Sequence, residues 1–473
     1  MFKPIFYIII FIILLIQDGL ASDSVIRFLD SKSEDYAAMS KTIWSLAELG
    51  YQEKETSKLM QSHLKQENFS IDYGVAEIPT AFIASYGSGK PIIAILAEMD
   101  ALPGLSQDAK PERKIIKEGM PGHACGHHLF GAGSAWSAVT VKEWLSKNNK
   151  KGTIRFYGTP AEEGGSGKVY MVRDGLFDDV DVVLHWHPGS VNHTSPRTSN
   201  ANKSAKFTFK GLSAHAASAP HRGRSALDGV ESMNFMVNMM REHIPQESRI
   251  HYVITKGGLA PNVIPDEAEV WYYERHPKET VVEELFQRTV KAANGAAEGT
   301  ETTLSYEVIH GNYSLMPNDT LQTLMYKQLV KRGGIVYNKQ EREFAEEIYK
   351  TLLNPSGSIG DQEKILPYQT FHGYGSTDVG DVSWLVPTAG ARIASWVPGT
   401  PGHSWQAVAS GGTTIGLKGE KLAAQVLSDT AIEIYLDPSI VEEAEKELSR
   451  RVGKDFNYFP LLGDRDPPLD YRN

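Results

Sequence analysis

Two stretches of the chain concentrate residues able to do chemistry. PGHACGHH (121–128) places three histidines and the only cysteine of the chain within eight residues, at the start of a helical pattern. Cys125 and His127 are two apart, so one turn can aim a thiolate and an imidazole at a single divalent ion; both donors suit zinc or a similar first-row metal. GTPAEEGGSGK (158–168) follows a strand pattern and carries the adjacent carboxylates Glu162 and Glu163. Neighbouring side chains on a turn point apart, so one can bind metal while the other handles a water proton. The glycines around them let backbone approach a site closely. EMDALP (98–103) ends a strand that is apolar on both faces, HWHP (185–188) ends another, and PGTPGHSW (398–405) brings His403 from a distant loop. Cys125, His127, Glu162, Glu163, His185 or His187, and His403 suffice for two divalent ions and a spare carboxylate. The chemistry this predicts is metal-assisted hydrolysis. The ions lower the pKa of a shared water and polarise a carbonyl, and the free carboxylate moves the water proton to the leaving amine.

The elements that must position these residues alternate between strand and helix. Helical spacing runs over 33–68, strands are predicted over 81–86 and 91–97, a helix over 131–145, and strands over 153–157 and 180–185. This is an α/β layer architecture, with the reactive clusters at carboxyl ends of strands, where such sheets present ligands. After Pro196 the order becomes strand, helix, two strands, helix, strand, the ferredoxin-like order. Residues 203–310 therefore read as a small α+β domain inserted into a catalytic domain formed by 22–202 and 311–473. Helices over 321–332 and 339–353 follow, then a final helix over 417–435. The tail from Asp455 reads as an irregular segment lying on the surface.

Composition narrows the class. The 473 residues carry a net charge of -10, with 48 Lys and Arg against 58 Asp and Glu, so no basic field exists to hold nucleic acid. The run IFYIIIFIILLI (5–16) after Lys3 fits the apolar core of a secretory signal over 1–21, with small residues Gly19 and Ala21 before the expected cut. Export to the periplasm or outside the cell is the expected localisation. With one cysteine there is no disulfide framework, so Cys125 is either buried and inert or occupied, for instance by metal.

Taken in order, EMDALPG, PGHACGHHLFGAG, YGTPAEEGGSGK, HWHPG, SAHAASAP (213–220), GGLAPNVIPDEAEV (257–270) and STDVGDVSW (376–384) form a set. The set resembles the dinuclear metallopeptidase family of carboxypeptidase G, aminoacylase and the auxin-conjugate amidohydrolases, over nearly the whole chain after the leader. The resemblance implies two divalent ions per subunit, manganese or zinc. It implies Cys125, His127, Glu163, His187 and His403 as ligands, Glu162 as general base, and Asp100 as the carboxylate that orients a ligating imidazole. His185 would fit the spacing of the auxin-conjugate branch instead of His187, and His128 stands where many relatives have Asp. The inserted domain is implied to be both lid and homodimerisation surface, with His215 reaching into the partner's site to stabilise an oxyanion and Asn262 and Arg275 binding the carbonyl or carboxylate of the substrate. The implied substrates are small N-acyl or N-aminoacyl amino acids such as p-aminobenzoyl-glutamate-like conjugates, and one bacterial branch works with a paralogous partner chain.

Two further readings share these motifs. One is a dipeptidase for basic or unusual dipeptides, which differs in the leaving amino acid. The other is a non-catalytic binding or assembly protein on the same fold, which should have lost the base or a ligand; here Glu162 and the ligand set are all present.

Overall fold

The structure, a computed structural model, describes residues 25–472; the expected leader over 1–21 lies outside the described residues. Its main sheet has six strands: β1 (Ser70–Tyr73), β2 (Phe82–Ser88), β3 (Ile92–Ala97), β4 (Gly152–Gly158), β5 (Val182–Gly189) and β12 (Thr388–Ala394), in the spatial order β1-β2-β4-β3-β5-β12. Pairings from β4 through β3 and β5 to β12 are parallel, and those at the β1 and β2 edge are antiparallel. Strand β3, IIAILA, is the most apolar and lies between β4 and β5, almost wholly buried. A strand covered on both faces has no solvated side to leave polar.

The helix His127–Lys147 packs on this sheet, and nearly all of its residues are buried. Its first turns are rich in Gly, Ala and Ser, so its backbone can lie close to β3: Ser134 donates to the Leu96 carbonyl at 2.7 Å. The helix Thr414–Leu436 covers its other side, where Ser428 donates to Ser137 at 3.1 Å. The functional consequence is that the PGHACGHH segment starts a rigid buried helix rather than a loose loop.

A second sheet is formed by β7 (Ala201–Lys210), β8 (Arg249–Lys256), β9 (Glu267–His276) and β10 (Thr303–Asn312), in the order β10-β7-β9-β8, all antiparallel. Helices Ala226–Met240 and Glu279–Gly299 cover one face, which gives the ferredoxin-like α+β arrangement expected. Burial along β9 alternates strictly. Ala268, Val270 and Tyr272 point under the helices, so Tyr273 and Arg275 point the other way, into the main cavity. Two short strands, β6 (Arg197–Thr198) and β11 (Phe371–His372), form a separate parallel pair beside the cavity.

Two readings of the C-terminal region are corrected. The helix Thr414–Leu436 is not the last, because Ser439–Val452 follows, amphipathic enough to bury Val441, Ala444 and Leu448 despite its many charges. The tail is irregular, as expected, but it does not simply lie on the surface. Leu461, Leu462 and Tyr471 are buried, and Arg472 lines the cavity. Too few apolar residues interrupt its Pro and Asp for a periodic signal, yet these three find slots while Phe459 and Leu469 stay exposed.

The inward face of β9 ends on a charge. Glu274 is buried, neither carboxylate oxygen makes a hydrogen bond, and burial pushes its pKa up to about 8. In an unfolded chain the same group ionises near 4.3. Because the folded value is the higher one, ionisation opposes folding: the penalty is absent below about pH 4, grows as pH rises to about 8, and then stays constant. Glu274→Gln is expected to leave the melting temperature unchanged at pH 4 and to stabilise the fold by on the order of 5 kcal/mol above pH 8. Thermal melts of both proteins across that range check this; an equal gain at every pH would refute the titration argument.

Candidate metal centre and active site

Cys125 and His127 flank Gly126, which sits at φ +80° at the head of the buried helix. A Cβ at Gly126 would come within 2.7 Å of Pro188, so glycine there is what lets the CGH turn press against the HWHP strand end. The thiol Sγ then lies 3.5 Å from His187 Nε2. Cys125, His127 and His187 present donor atoms within 4.8 Å of one another, and Cys125, Glu163 and His403 do the same. His403 Nε2 is 3.1 Å from Glu163 Oε1. The thiol is therefore common to two triads, and five side chains from four separate segments converge on it.

The turn carrying Glu162 and Glu163 is held in place by strain and by clamps. Ala161 and Ser166 on either side have φ of +58° and +60°, conformations that cost energy for residues other than glycine and cluster at functional sites. Buried Glu53 accepts from Ala161 N at 2.8 Å, Tyr51 donates to the Gly165 carbonyl at 2.5 Å, and Tyr471 and Arg472 from the tail both donate to the Glu163 carbonyl. Asp100 serves both sides of the centre: Oδ1 accepts from His127 Nδ1 at 2.9 Å, and Oδ2 accepts from Glu163 N at 2.8 Å. This fixes the His127 ring so that Nε2 faces the other donors.

The donor set fits a pair of divalent ions. Among the described residues, His127 Nε2 and Glu163 Oε1 are buried and make no well-aligned hydrogen bond, their nearest polar neighbours being Glu98 Oε2 and His403 Nε2 at 3.1 Å each. Burial alone would raise the Cys125 thiol, but the imidazoles of His127 and His187 hold it well below the usual range, which favours the thiolate that binds metal. Burial pushes the Glu162 carboxyl well up, assisted by the charges of Glu98 and Glu163, the direction a proton acceptor working near neutral pH needs. A third group, Glu98, His127 and Glu162, also lies within 4.8 Å. It already holds a cation: Lys168, fully buried, reaches Glu98 at 2.8 Å and Asp378 at 2.7 Å. Glu162 is thus the carboxylate beside the two triads that neither of them uses.

The other expected residues fall in different places. His185 lines the same cavity but joins no triad. It is half-buried, desolvation pulls its pKa to about 3, and its ring packs where a Cβ on Gly390 would be. His123 and His128 are core groups whose Nε2 atoms donate to the carbonyls of Ile43 and Gly411. Arg275 lines the cavity and donates to Ser376 Oγ at 3.2 Å. His215 and Asn262 do not enter the cavity of their own chain. They sit together on exposed loops of the inserted layer, joined by the Ala216 N to Asn262 O hydrogen bond of 3.0 Å. Residues that sequence reading missed include Lys168, Arg197, Arg392 and Arg472. Lys168 follows three glycines in four positions, where a lysine ordinarily points to solvent, so nothing local marks it as buried.

A thiol-bridged pair of donor triads with a free glutamate, at the carboxyl ends of a mostly parallel sheet and beneath an inserted α+β layer, defines a metal-dependent hydrolase of amide bonds. Comparison with known proteins agrees. The chain belongs to peptidase family M20/M25/M40, whose model matches residues 94–354. It is 40% identical over 454 residues to one of the subunits of the p-aminobenzoyl-glutamate hydrolase of Escherichia coli (strain K12), covering 89% of this chain and 94% of that protein. It is 27% identical to the Xaa-Arg dipeptidase of Mus musculus, covering 89% and 90%. Among solved structures, a dinuclear metal-binding M20 peptidase of Bacillus subtilis shares the fold, with a TM-score of 0.56, 18% identity, and coverage of 86% and 99%.

Proposed function

We propose that this protein is an amidohydrolase that uses two divalent ions to release an amino acid with a free α-carboxylate from an N-acyl or N-aminoacyl conjugate. The observation that carries the reading is the meeting of two donor triads at Cys125 with Glu162 beside them, in a cavity of about 540 Å³, large enough for such a conjugate. The bound ions, manganese or zinc, would supply Lewis acidity toward a water and the amide carbonyl. Cys125, His127 and His187 would hold one ion, and Cys125, Glu163 and His403 the other. Glu162 takes the proton of the attacking water and delivers it to the leaving amine, and Asp100 keeps His127 and the Glu163 backbone in register. Arg275 suits the α-carboxylate, because its planar fork donates two parallel hydrogen bonds. The E. coli relative is named for p-aminobenzoyl-glutamate, a substrate of this chemical class.

The active form in this reading is a homodimer, or an assembly with a paralogous chain, since the E. coli relative is named as one part of a larger enzyme. His215 Nδ1 accepts from Ala217 N and Ser218 N, which leaves the Nε2 proton pointing outward as an oxyanion donor for a neighbouring protomer. The inserted layer also exposes Phe235, Met239 and Val253 next to the edge strand β8, an apolar surface of the kind that protomers cover. The apolar run over 5–16 supports export.

The experiment is hydrolysis of p-aminobenzoyl-glutamate, N-acyl-aspartate and basic dipeptides by metal-stripped protein with manganese or zinc restored. Metal-dependent release of an amino acid is expected. No release from any of them, with two ions bound per chain and the native mass known, would overturn the reading for this chain alone.

A further inference from the structure

The face of the second sheet that looks into the cavity is laid out in cross-strand rows. Along β7, Ala205, Phe207 and Phe209 lie under the helices, so Asn202 and Ser204 face the other way. Register then aligns two rows of three. Tyr273, Ser204 and His310 stand opposite one another on β9, β7 and β10, and Arg275, Asn202 and Asn312 form the next row. The first row rests on the turn of Glu162 and Glu163: a Cβ at Gly164 would lie 3.3 Å from the Tyr273 hydroxyl, and His310 Nδ1 is hydrogen-bonded to Ser166 Oγ. Two residues along a strand span about 7 Å, so the second row stands one pleat beyond that turn. All three of its residues line the cavity. Asn202 and Asn312 are buried, and among the described residues the Oδ1 of each makes no hydrogen bond. The Asn312 amide is held with Nδ2 on the carbonyls of Tyr313 at 3.1 Å and Thr377 at 3.0 Å, so its oxygen is turned away from them. A buried amide oxygen without a donor costs the fold free energy. Two of them in register, beside an arginine suited to a carboxylate, match a ligand that brings N–H groups next to a carboxylate.

We propose that Asn202 and Asn312 are an acceptor pair for the leaving nitrogen: Asn202 Oδ1 accepts the N–H of the scissile amide, and both oxygens hold the amine once the bond has broken. The inference rests on the amidohydrolase reading. In an N-acyl amino acid the amide nitrogen and the α-carboxylate share one carbon. With the carboxylate on Arg275, the N–H therefore falls beside the neighbouring strand, about 4.8 Å away, where Asn202 stands. In the reaction the water oxygen bonds the acyl carbon, Glu162 passes the water proton to the nitrogen, and the C–N electron pair stays with nitrogen as that bond breaks. A nitrogen that loses its amide conjugation and gains a proton becomes a stronger donor, so the pair binds it more tightly during cleavage than in the substrate. Neutral acceptors suit this position, because a carboxylate there would pair with Arg275 and compete with the substrate.

The test compares N-benzoyl-glutamate with the benzoate ester of 2-hydroxyglutarate, which replaces the N–H by oxygen and keeps both carboxylates, in the wild type, Asn202→Leu and Asn202→Ser. Metal content and melting temperature are measured on the same samples. Asn202→Leu is expected to lower kcat/KM for the amide by about 10-fold or more and to leave the ester within about threefold of the wild type. Asn202→Ser keeps an oxygen and should fall between. A structural role alone would move both substrates alike, so an equal loss for amide and ester overturns the proposal, as does an amide rate that Asn202→Leu leaves unchanged. If Asn202→Leu does not fold, the amide-to-ester ratio is read in Asn202→Ser, where an unchanged ratio overturns it. Should the wild type cleave neither compound, the amidohydrolase reading fails separately, and binding decides the acceptor pair. Greater thermal stabilisation by glutamate than by glutarate, which lacks the amine, upholds the pair if the difference is lost in the Asn202 variant; equal shifts from the two overturn it.

Discussion

Glu162→Gln is expected to lower kcat by about 10³-fold, with metal content and melting temperature close to those of the wild type. Glutamine keeps the volume of the side chain and its carbonyl oxygen, so the strained turn between Ala161 and Ser166 loses no contact it needs. What disappears is the ability to accept a proton from water and return it to the leaving nitrogen. Because Glu162 stands outside both Cys125 triads, the ions should remain. KM should change little, since the substrate carboxylate is seated elsewhere. The measurement is steady-state kinetics with metal analysis on the same sample. Unchanged turnover would remove the catalytic role of Glu162, and loss of both activity and metal would make Glu162 a ligand. A chain that only binds or assembles would show no turnover to lose, so the same experiment separates an enzyme from a binding protein on this fold.

Much of the centre was legible in the sequence because each of its segments is short and sits at the end of a strand, at the head of a helix or in a tight loop. The positions of Cys125 and His127 follow from one tight turn, and Glu162 and Glu163 from another, so local spacing already carries their geometry. His187 was not separable from His185 by spacing, since residues two apart on a strand share a face. The tertiary contact of His187 with Cys125 distinguishes them. The histidines in PGHACGHH show the limit of density as a signal: His127 enters the triads, while His123 and His128 pin the segment to neighbouring backbone.

The charges that shape the rest of the cavity were not legible, for a different reason. Whether a lysine or arginine is solvated, paired or left alone depends on residues far away in the chain. Lys168 is balanced by Glu98 and Asp378, 70 and 210 residues away, and no local pattern encodes that pairing. Arg197 and Arg392 line the cavity with no such partner among the described residues, which only the folded arrangement reveals. The same holds for the tail, where Tyr471 and Arg472 reach the turn of Glu162 and Glu163 without forming any periodic element.

Cys125→Ala is expected to abolish activity and to lower the bound metal from two ions per chain toward none, whereas His403→Ala should release one ion preferentially. The difference follows from which atoms are shared. Sγ belongs to both triads, so its loss leaves each with two protein donors at once, while His403 belongs to one. An ion supplying several kcal/mol of transition-state stabilisation corresponds to at least about 10³-fold in rate for either variant. Activity therefore does not distinguish the two, and stoichiometry does. Cobalt substitution gives an independent reading, because a sulfur-to-cobalt charge-transfer band should be present in His403→Ala and absent in Cys125→Ala. Equal metal loss in both variants would show that the two ions bind as one cooperative unit. Full retention of metal in Cys125→Ala would mean that the thiol, although placed between the triads, is a buried bystander and that the imidazoles and Glu163 hold the ions without it.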